Sequence, residues 1–187
     1  MPSGIDTKTR AFGAGAVVLL AAVTLLPAAS APGAEPSTAS SSPQCDSALQ
    51  SHVYDPDRLT AQQQCIAVTG TIVDATVGQS VHHADGVRHE PDGDSHGWLK
   101  VDPAFKKLLD NGNMTDEKGN LVFEIICRYP IATGQAEDKA RKACEGYKDH
   151  VQLPPLGSHV RMVGTYVHDD KHGWNEIHPV TSITVVP

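Results

Sequence analysis

The sequence predicts a mainly β domain: a five-stranded barrel with a helix between the third and fourth strands and a short helix after the second. Three observations support this fold class. Five runs of residues have the composition or alternation of strands, two segments between them have helical spacing, and glycines interrupt two of the strand runs. With 187 residues, 40% of them hydrophobic and 20% charged, one globular domain is expected.

The first 31 residues have the three parts of a secretory signal peptide. Lys8 and Arg10 precede an uncharged, Ala-, Val- and Leu-rich stretch at 11–31 that ends in small residues. We expect cleavage after it; an uncleaved membrane anchor is the alternative, because the stretch is almost long enough to span a bilayer. Residues 32–44 are rich in Pro, Gly, Ser and Thr and predict a flexible spacer. The folded domain is therefore expected at 45–187, in a secreted or extracytoplasmic protein without a membrane span after cleavage.

Export would give the four cysteines a structural role. In an oxidising compartment an even number of cysteines predicts disulfides, and the sequence lacks the Cys-x-x-Cys motif typical of zinc sites. Of the possible pairings we favour the local one, Cys45–Cys65 and Cys127–Cys144, in which each bond closes a short loop. Each bond would then stabilise the fold by about 3 kcal/mol.

The predicted strands cover residues 65–73, 97–102, 121–129, 159–167 and 174–186. The first is β-branched, the second alternates polar and apolar residues, and Pro179 in the fifth predicts an edge or a bulge. Residues 103–110 have apolar side chains at helical spacing and predict a short helix that stops at Asn111-Gly112. The Ala- and charge-rich segment 135–146 predicts the helix between the third and fourth strands.

This order of strands and helix is the layout of an OB-fold, a small and partly open Greek-key barrel. A sandwich of about five to seven strands is the alternative, because hairpin spacing alone does not separate the two architectures. Gly70 and Gly164 favour the barrel, since each lies in the middle of a predicted strand and a small barrel needs tight bends.

Charge and aromatic content argue against a general nucleic-acid-binding protein. The chain has 15 Lys and Arg against 22 Asp and Glu, a net charge of −7, and only 5% aromatic residues. Coating a nucleic acid needs a basic face that displaces counterions, and a base-stacking platform needs aromatic side chains. We therefore expect an unidentified small ligand or an extracellular partner instead.

A short motif, Asp-x-His-Gly-Trp, occurs at 94–98 and again at 170–174, each time directly before a predicted strand. The two copies thus lie in the loops before the second and the fifth predicted strands. In an OB-fold these two loops lie together beside the binding face, so the two copies are expected to meet. Imidazole and carboxylate groups that converge suit zinc or another divalent transition metal. The predicted metal ligands are His96, His172, His178, Asp94 and Glu176, and the residues predicted to contact a ligand are Trp98, Trp174 and Asp170.

The same motif also allows a structural interpretation. Its Asp and Gly residues would then shape two turns, and its histidines would be exposed or hydrogen-bonded to the backbone. The sequence contains no His-Glu-x-x-His motif that would support a metal site. If histidines do bind a metal, its affinity should fall as the pH drops through about 6.5, because protonated imidazole cannot be a ligand.

Several segments resemble a group of small secreted bacterial proteins with OB-like domains. They are Cys65…Val68-x-Gly70-Thr71, Asp92-Gly93-Asp94-x-His96, Leu121-Val122-x-Glu124, Cys144-x-Gly146-Tyr147 and His172-Gly173-Trp174-x-Glu176-Ile177-His178-Pro179-Val180. Together they extend over nearly all of the predicted domain. The resemblance implies the fold and export, and it implies no reaction.

Two classes of function follow from these patterns. The first is a secreted binding module that holds a metal or a polar ligand between the two motif copies. The second is a metal-dependent hydrolase of the phosphodiesterase or nuclease type. In it His96 and His172 would hold the metal, and Glu124 or Glu176 would act as general base toward a bound water.

Overall fold

The computed structural model of the protein describes residues 42–76, 81–134 and 137–187. The predicted signal peptide at 1–31 and all but the last three residues of the predicted spacer at 32–44 lie outside the described residues. In the described part of the chain, no helix has the length and apolar character needed to cross a membrane.

The described residues contain six strands, two short α-helices and three 3-10 helices. The strands are β1 (Leu59–Val73), β2 (Arg88–His89), β3 (Ser95–Val101), β4 (Leu121–Phe123), β5 (His159–Asp169) and β6 (Trp174–Val185). The α-helices are α1 (Asn111–Thr115) and α2 (Asp138–Ala143), and the 3-10 helices are Ser47–His52, Pro56–Arg58 and Pro103–Leu108.

Five of the strands close into a barrel in the order β1–β5–β6–β4–β3, and β3 pairs again with β1. Neighbours are antiparallel except β4 and β6, which are parallel. At the closure, Gly70 lies opposite Val101 in β3 and Val160 in β5, and a Cβ there would lie 2.5 Å from the carbonyl oxygen of Lys100. Glycine allows this close approach of three strands. The prediction of a five-stranded OB-fold-like barrel is confirmed.

The bulge predicted at Pro179 is also present. The register of β5 and β6 shifts between the pairs Gly164–Val180 and Tyr166–Ile177. As a result Ile177 and Val180 both pack in the barrel core. Residues 176 and 178 alternate with Ile177, so their side chains lie together on the face directed away from that core.

Two predicted strands have different bounds in the structure. β1 begins at Leu59 because its polar first half pairs with β5 while most of its side chains stay exposed. β4 ends at Phe123 instead of continuing to 129. At Cys127 the backbone has a φ of 53°, a left-handed conformation that an extended strand does not contain.

The predicted helices are shorter than expected. Residues 103–110 form a 3-10 helix over Pro103–Leu108, and α1 begins at Asn111, where the helix was expected to stop. Asp110 and Asn113 form a capping box, in which each side chain accepts a hydrogen bond from the other residue's backbone N–H, and this starts the new helix. Of the helix predicted at 135–146, α2 covers Asp138–Ala143, and residues 135 and 136 lie outside the described residues.

Two disulfides, Cys45–Cys65 and Cys127–Cys144, join neighbouring segments, as predicted. The second bond ties the segment after β4 to the end of α2. Leu49 of the first 3-10 helix and Val53, the residue after that helix, pack against Ile126 and Cys127 in a small apolar cluster separate from the barrel core. The N-terminal segment and the segment after β4 therefore pack together beside the barrel.

Candidate functional site

Buried charged side chains cluster on the outer face of β3, β4 and β6. Within these strands Leu99, Phe123 and Ile177 belong to the barrel core, so the residues that alternate with them point outward. The outward residues His96, Glu124, Glu176 and His178 are all buried, with at most 6% of any of them exposed. Ionisable groups are rarely buried unless they are paired or bind a metal.

His178 lies at the centre of this cluster. Its Nδ1 is 2.8 Å from Glu124 Oε2 and 3.0 Å from Glu176 Oε1. Burial alone would lower the pKa of His178, but the charge of Glu124 and the hydrogen bonds to both glutamates outweigh burial and raise this pKa to about 10. Burial likewise opposes ionisation of Glu124, and the nearby His178 and His96 nevertheless hold its pKa well below the usual value.

The other nitrogen of His178 faces Asp94, which follows the turn between β2 and β3. Oδ1 of Asp94 accepts a hydrogen bond of 2.7 Å from the backbone N–H of Cys127. Oδ2 lies 4.0 Å from His178 Nε2, and neither of these two atoms has a hydrogen-bond partner among the described residues. Burial raises the pKa of Asp94 well above its usual value. Such unpartnered buried atoms are uncommon and point to a missing partner.

Asp94, Glu124 and His178 together offer a donor set for a cation. One ligand atom from each residue lies within 4.8 Å of the other two. Carboxylate oxygen and imidazole nitrogen are donors that zinc accepts at about 2.0–2.2 Å. An ion bound by Nε2 of His178 and Oδ2 of Asp94 would leave Nδ1 hydrogen-bonded to Glu124 and Glu176. Glu124 would then orient the histidine, as a carboxylate usually does for a metal-binding histidine, instead of binding the ion itself.

The sulfur atoms of Cys127 and Cys144 also lie within 4.8 Å of an Asp94 oxygen. They are joined in a disulfide. Because the thiolate is the form that binds metals, these sulfurs do not add to the donor set.

His96 supports the cluster through two glutamates. Its Nδ1 lies 3.5 Å from Glu124 Oε1, and its Nε2 lies 3.3 Å from Glu117 Oε2. Burial opposes protonation of His96, but these two carboxylates raise its pKa to about 9. Both ring nitrogens are thus near carboxylates, and His96 positions Glu124 rather than presenting a free nitrogen.

Arg58 contributes a third cation from the second 3-10 helix. Its guanidinium forms an ion pair with the buried Asp169 and lies 3.6 Å from Glu124 Oε2 and 3.8 Å from Glu176 Oε1. The side chain of Arg58 is only 9% exposed. It therefore compensates part of the negative charge that the glutamates bring to the cluster.

The second motif copy forms the turn between β5 and β6, where it neighbours the first copy. His172 is exposed; its Nδ1 lies 2.8 Å from Asp169 Oδ2, and its ring stacks on Trp174 at a centroid distance of 4.9 Å. The same indole is nearly perpendicular to the ring of His96, with the ring centroids 5.6 Å apart. His96 and His172 thus share a contact with one indole, while the potential ligand atoms that converge are those of Asp94, Glu124 and His178.

The other residues predicted to contact a ligand have different environments. Trp98 is fully buried, and its indole N–H donates to Glu117. Trp174 is half-buried and donates to Glu176 Oε2 at 3.0 Å. Asp170 is exposed and accepts a hydrogen bond from the hydroxyl of Thr60. Both indoles therefore bind buried glutamates in this structure.

Two residues of the cluster, Glu117 and Arg58, were not predicted from the sequence. Glu117 lies in a turn and Arg58 in a 3-10 helix of three residues, and neither has a periodic pattern that shows which way its side chain points. Glu124 was predicted as a candidate general base and was not among the predicted metal ligands, although alternation from Phe123 already places it on the outer face.

No protein-family model, curated protein or solved structure matches this chain.

Proposed function

We propose that the protein is a secreted binding module whose buried site takes one divalent transition metal ion, with zinc as the best match to the donors. One observation carries the proposal: Asp94 Oδ2 and His178 Nε2 are buried, unpartnered and 4.0 Å apart, beside the carboxylate of Glu124. Two ligand atoms on one tetrahedral zinc ion are about 3–3.5 Å apart. A movement of less than about 1 Å would therefore bring both atoms onto one ion.

The burial of the site favours binding over hydrolysis. The side chains of Asp94, Glu124 and His178 are 2%, 8% and 0% exposed. Catalytic zinc sites keep one position open to water and substrate, whereas structural sites are closed by protein ligands. A phosphodiesterase or nuclease would need that open position, and this burial opposes it.

The two ligands and the glutamate that orients His178 come from three separate segments, which gives the ion a stabilising role. Asp94 precedes β3, Glu124 follows β4 and His178 lies in β6. An ion that binds the folded chain alone stabilises it, by about 2.7 kcal/mol at a metal concentration of one hundred times Kd. The two disulfides and the signal-like sequence at 1–31 support export, because disulfides persist in oxidising compartments.

Zinc titration of the purified, disulfide-intact protein tests this proposal. We expect one ion per chain, and a loss of affinity of about tenfold or more in Asp94→Asn and in His178→Gln. The asparagine still offers an oxygen to the N–H of Cys127, so Asp94→Asn removes a ligand with little change in shape. His159→Gln is the matched control, because His159 is paired with a carboxylate, Asp102, but lies at the start of β5.

A second measurement uses the unchanged chain, because a variant of a buried histidine can fail to fold. Zinc should move the NMR signals of the His178 ring and leave those of His159 in place. Substitution with Co²⁺ should give the absorption spectrum of nitrogen and oxygen donors without thiolate. If no stoichiometric metal binds, or if Asp94→Asn and the unchanged chain bind zinc equally, the proposal is wrong.

A further inference from the structure

A second candidate site is a cleft of about 350 Å³ bordered by β3, α1 and the turn before β4. Its lining includes Lys100, Val101, Lys106, Leu109, Met114 and Lys118. None of these residues belongs to the buried charged cluster. The volume lies within the range of about 300–1,000 Å³ that is usual for sites of small ligands.

The floor of this cleft is apolar. Val101 is part of the barrel core, and Leu109 packs against that core. Met114 is 59% exposed, which makes it one of the large apolar side chains most open to solvent among the described residues. An exposed methionine at the border of a cleft is an adaptable apolar contact, since its side chain is flexible and polarisable.

The rim of the cleft is basic, although the chain has a net charge of −7. Lys100, Lys106 and Lys118 line it, and among the residues that the structure describes no acidic side chain does. In the part of the chain that the structure describes, the one lysine within 4.0 Å of a carboxylate is Lys139, on another face. The Nζ of Lys118 donates to the carbonyl oxygen of Thr76 at 3.0 Å, which fixes its position beside the cleft.

A cleft lined by charges of one sign concentrates the electrostatic potential and attracts ions of the opposite sign. We propose that this cleft binds a small amphiphilic anion, in which an acidic head is attached to an aliphatic or aromatic body. The head lies among the three lysines, and the body covers Val101, Leu109 and Met114. A free molecule fits better than a membrane surface, because two of these three apolar residues form a recessed floor.

Sodium decanoate is a suitable probe, studied by calorimetry with the whole disulfide-intact protein. We expect saturable binding of one decanoate per chain. Decyltrimethylammonium, which has the same chain length and the opposite charge, should not bind, and acetate, which has the head alone, should bind at least about tenfold more weakly. Binding should weaken when the salt concentration rises, because the lysines are exposed to solvent.

Charge-removing variants separate this cleft from other basic surfaces. The triple variant Lys100→Gln, Lys106→Gln and Lys118→Gln should bind decanoate at least about tenfold more weakly. The matched control is Lys139→Gln with Lys142→Gln on α2, which removes exposed lysines elsewhere and should leave the affinity unchanged. Met114→Gln should also weaken decanoate binding, with no effect on acetate.

Three results would overturn this inference. The first is the absence of saturable decanoate binding. The second is equal affinity of the triple lysine variant and the unchanged chain, with folding of both verified by circular dichroism. The third is binding to vesicles of anionic phospholipid without binding of free decanoate, which would assign the lysines to a membrane surface instead.

Discussion

Zinc affinity should rise with pH across the whole neutral range if the metal site is built around His178. Without metal, the ring of His178 holds a proton, since its pKa is raised to about 10. An ion can bind Nε2 only after that proton has left. Below a pH of about 10, zinc must displace this proton. Its affinity therefore falls about tenfold, or by about 1.4 kcal/mol, for each pH unit that the solution becomes more acidic. We therefore expect at least about a tenfold gain in affinity between pH 7.5 and pH 8.5.

This dependence separates His178 from an ordinary histidine. A histidine of unperturbed pKa is almost fully neutral at pH 7.5, so its zinc affinity would change little between pH 7.5 and pH 8.5. Burial raises the pKa of Asp94 as well. Any proton that Asp94 still holds would be displaced too and would make the dependence steeper. From the sequence, zinc affinity was expected to fall only below a pH of about 6.5. With the raised pKa of His178, it should already fall below a pH of about 10.

The assay is calorimetric titration with zinc at pH 7.5 in two buffers that differ in ionisation enthalpy. The difference in apparent binding enthalpy gives the number of protons released, which we expect to be one or more per ion. His159→Gln should release the same number. Release of no proton, or an unchanged affinity between pH 7.5 and pH 8.5, would show that Nε2 of His178 is not a metal ligand.

Three further predictions concern packing, disulfides and a surface histidine. Gly97→Ala places a methyl group 2.2 Å from an aromatic ring of the core, and it should lower the free energy of unfolding by about 1–3 kcal/mol in chemical denaturation; an unchanged midpoint would contradict this packing. Replacing Cys127 and Cys144 together by alanine removes a bond with a sequence separation of 17 and should cost about 3 kcal/mol by the same measurement, whereas an undiminished stability would show that the bond is dispensable. Hydrogen bonds, first of all to Asp102, raise the pKa of His159, so Asp102→Asn should lower the midpoint of its NMR titration; a midpoint that stays in place would rule out this pair.

The sequence was sufficient to predict the barrel because its evidence is local. β-branched and alternating runs mark the strands, and Gly70 and Gly164 mark two close contacts between strands. The ends of the elements were less predictable, since they depend on contacts outside the run. The left-handed backbone at Cys127, beyond the end of β4, is one example.

The candidate site was predictable where it follows strand periodicity. Alternation along β6 placed Glu176 and His178 on one face, and the first motif copy located Asp94 and His96. The partners of these residues depend on tertiary packing. Sequence spacing could not show that Arg58, from a 3-10 helix distant in the sequence, would enter the same cluster.

The long pairing of β1 with β5 has a consequence for the order in which the chain acquires its structure. Leu59 lies opposite Asp169, and the Thr60 hydroxyl meets an Asp170 carboxylate 110 residues later in the sequence. During synthesis the first half of β1 therefore has no strand partner until β5, about 100 residues later in the sequence, has left the ribosome. Unpaired strand edges of this kind promote aggregation, and distant pairings of this kind slow folding. A chain that stops before residue 159 would lack β5 and leave the first half of β1 permanently unpaired.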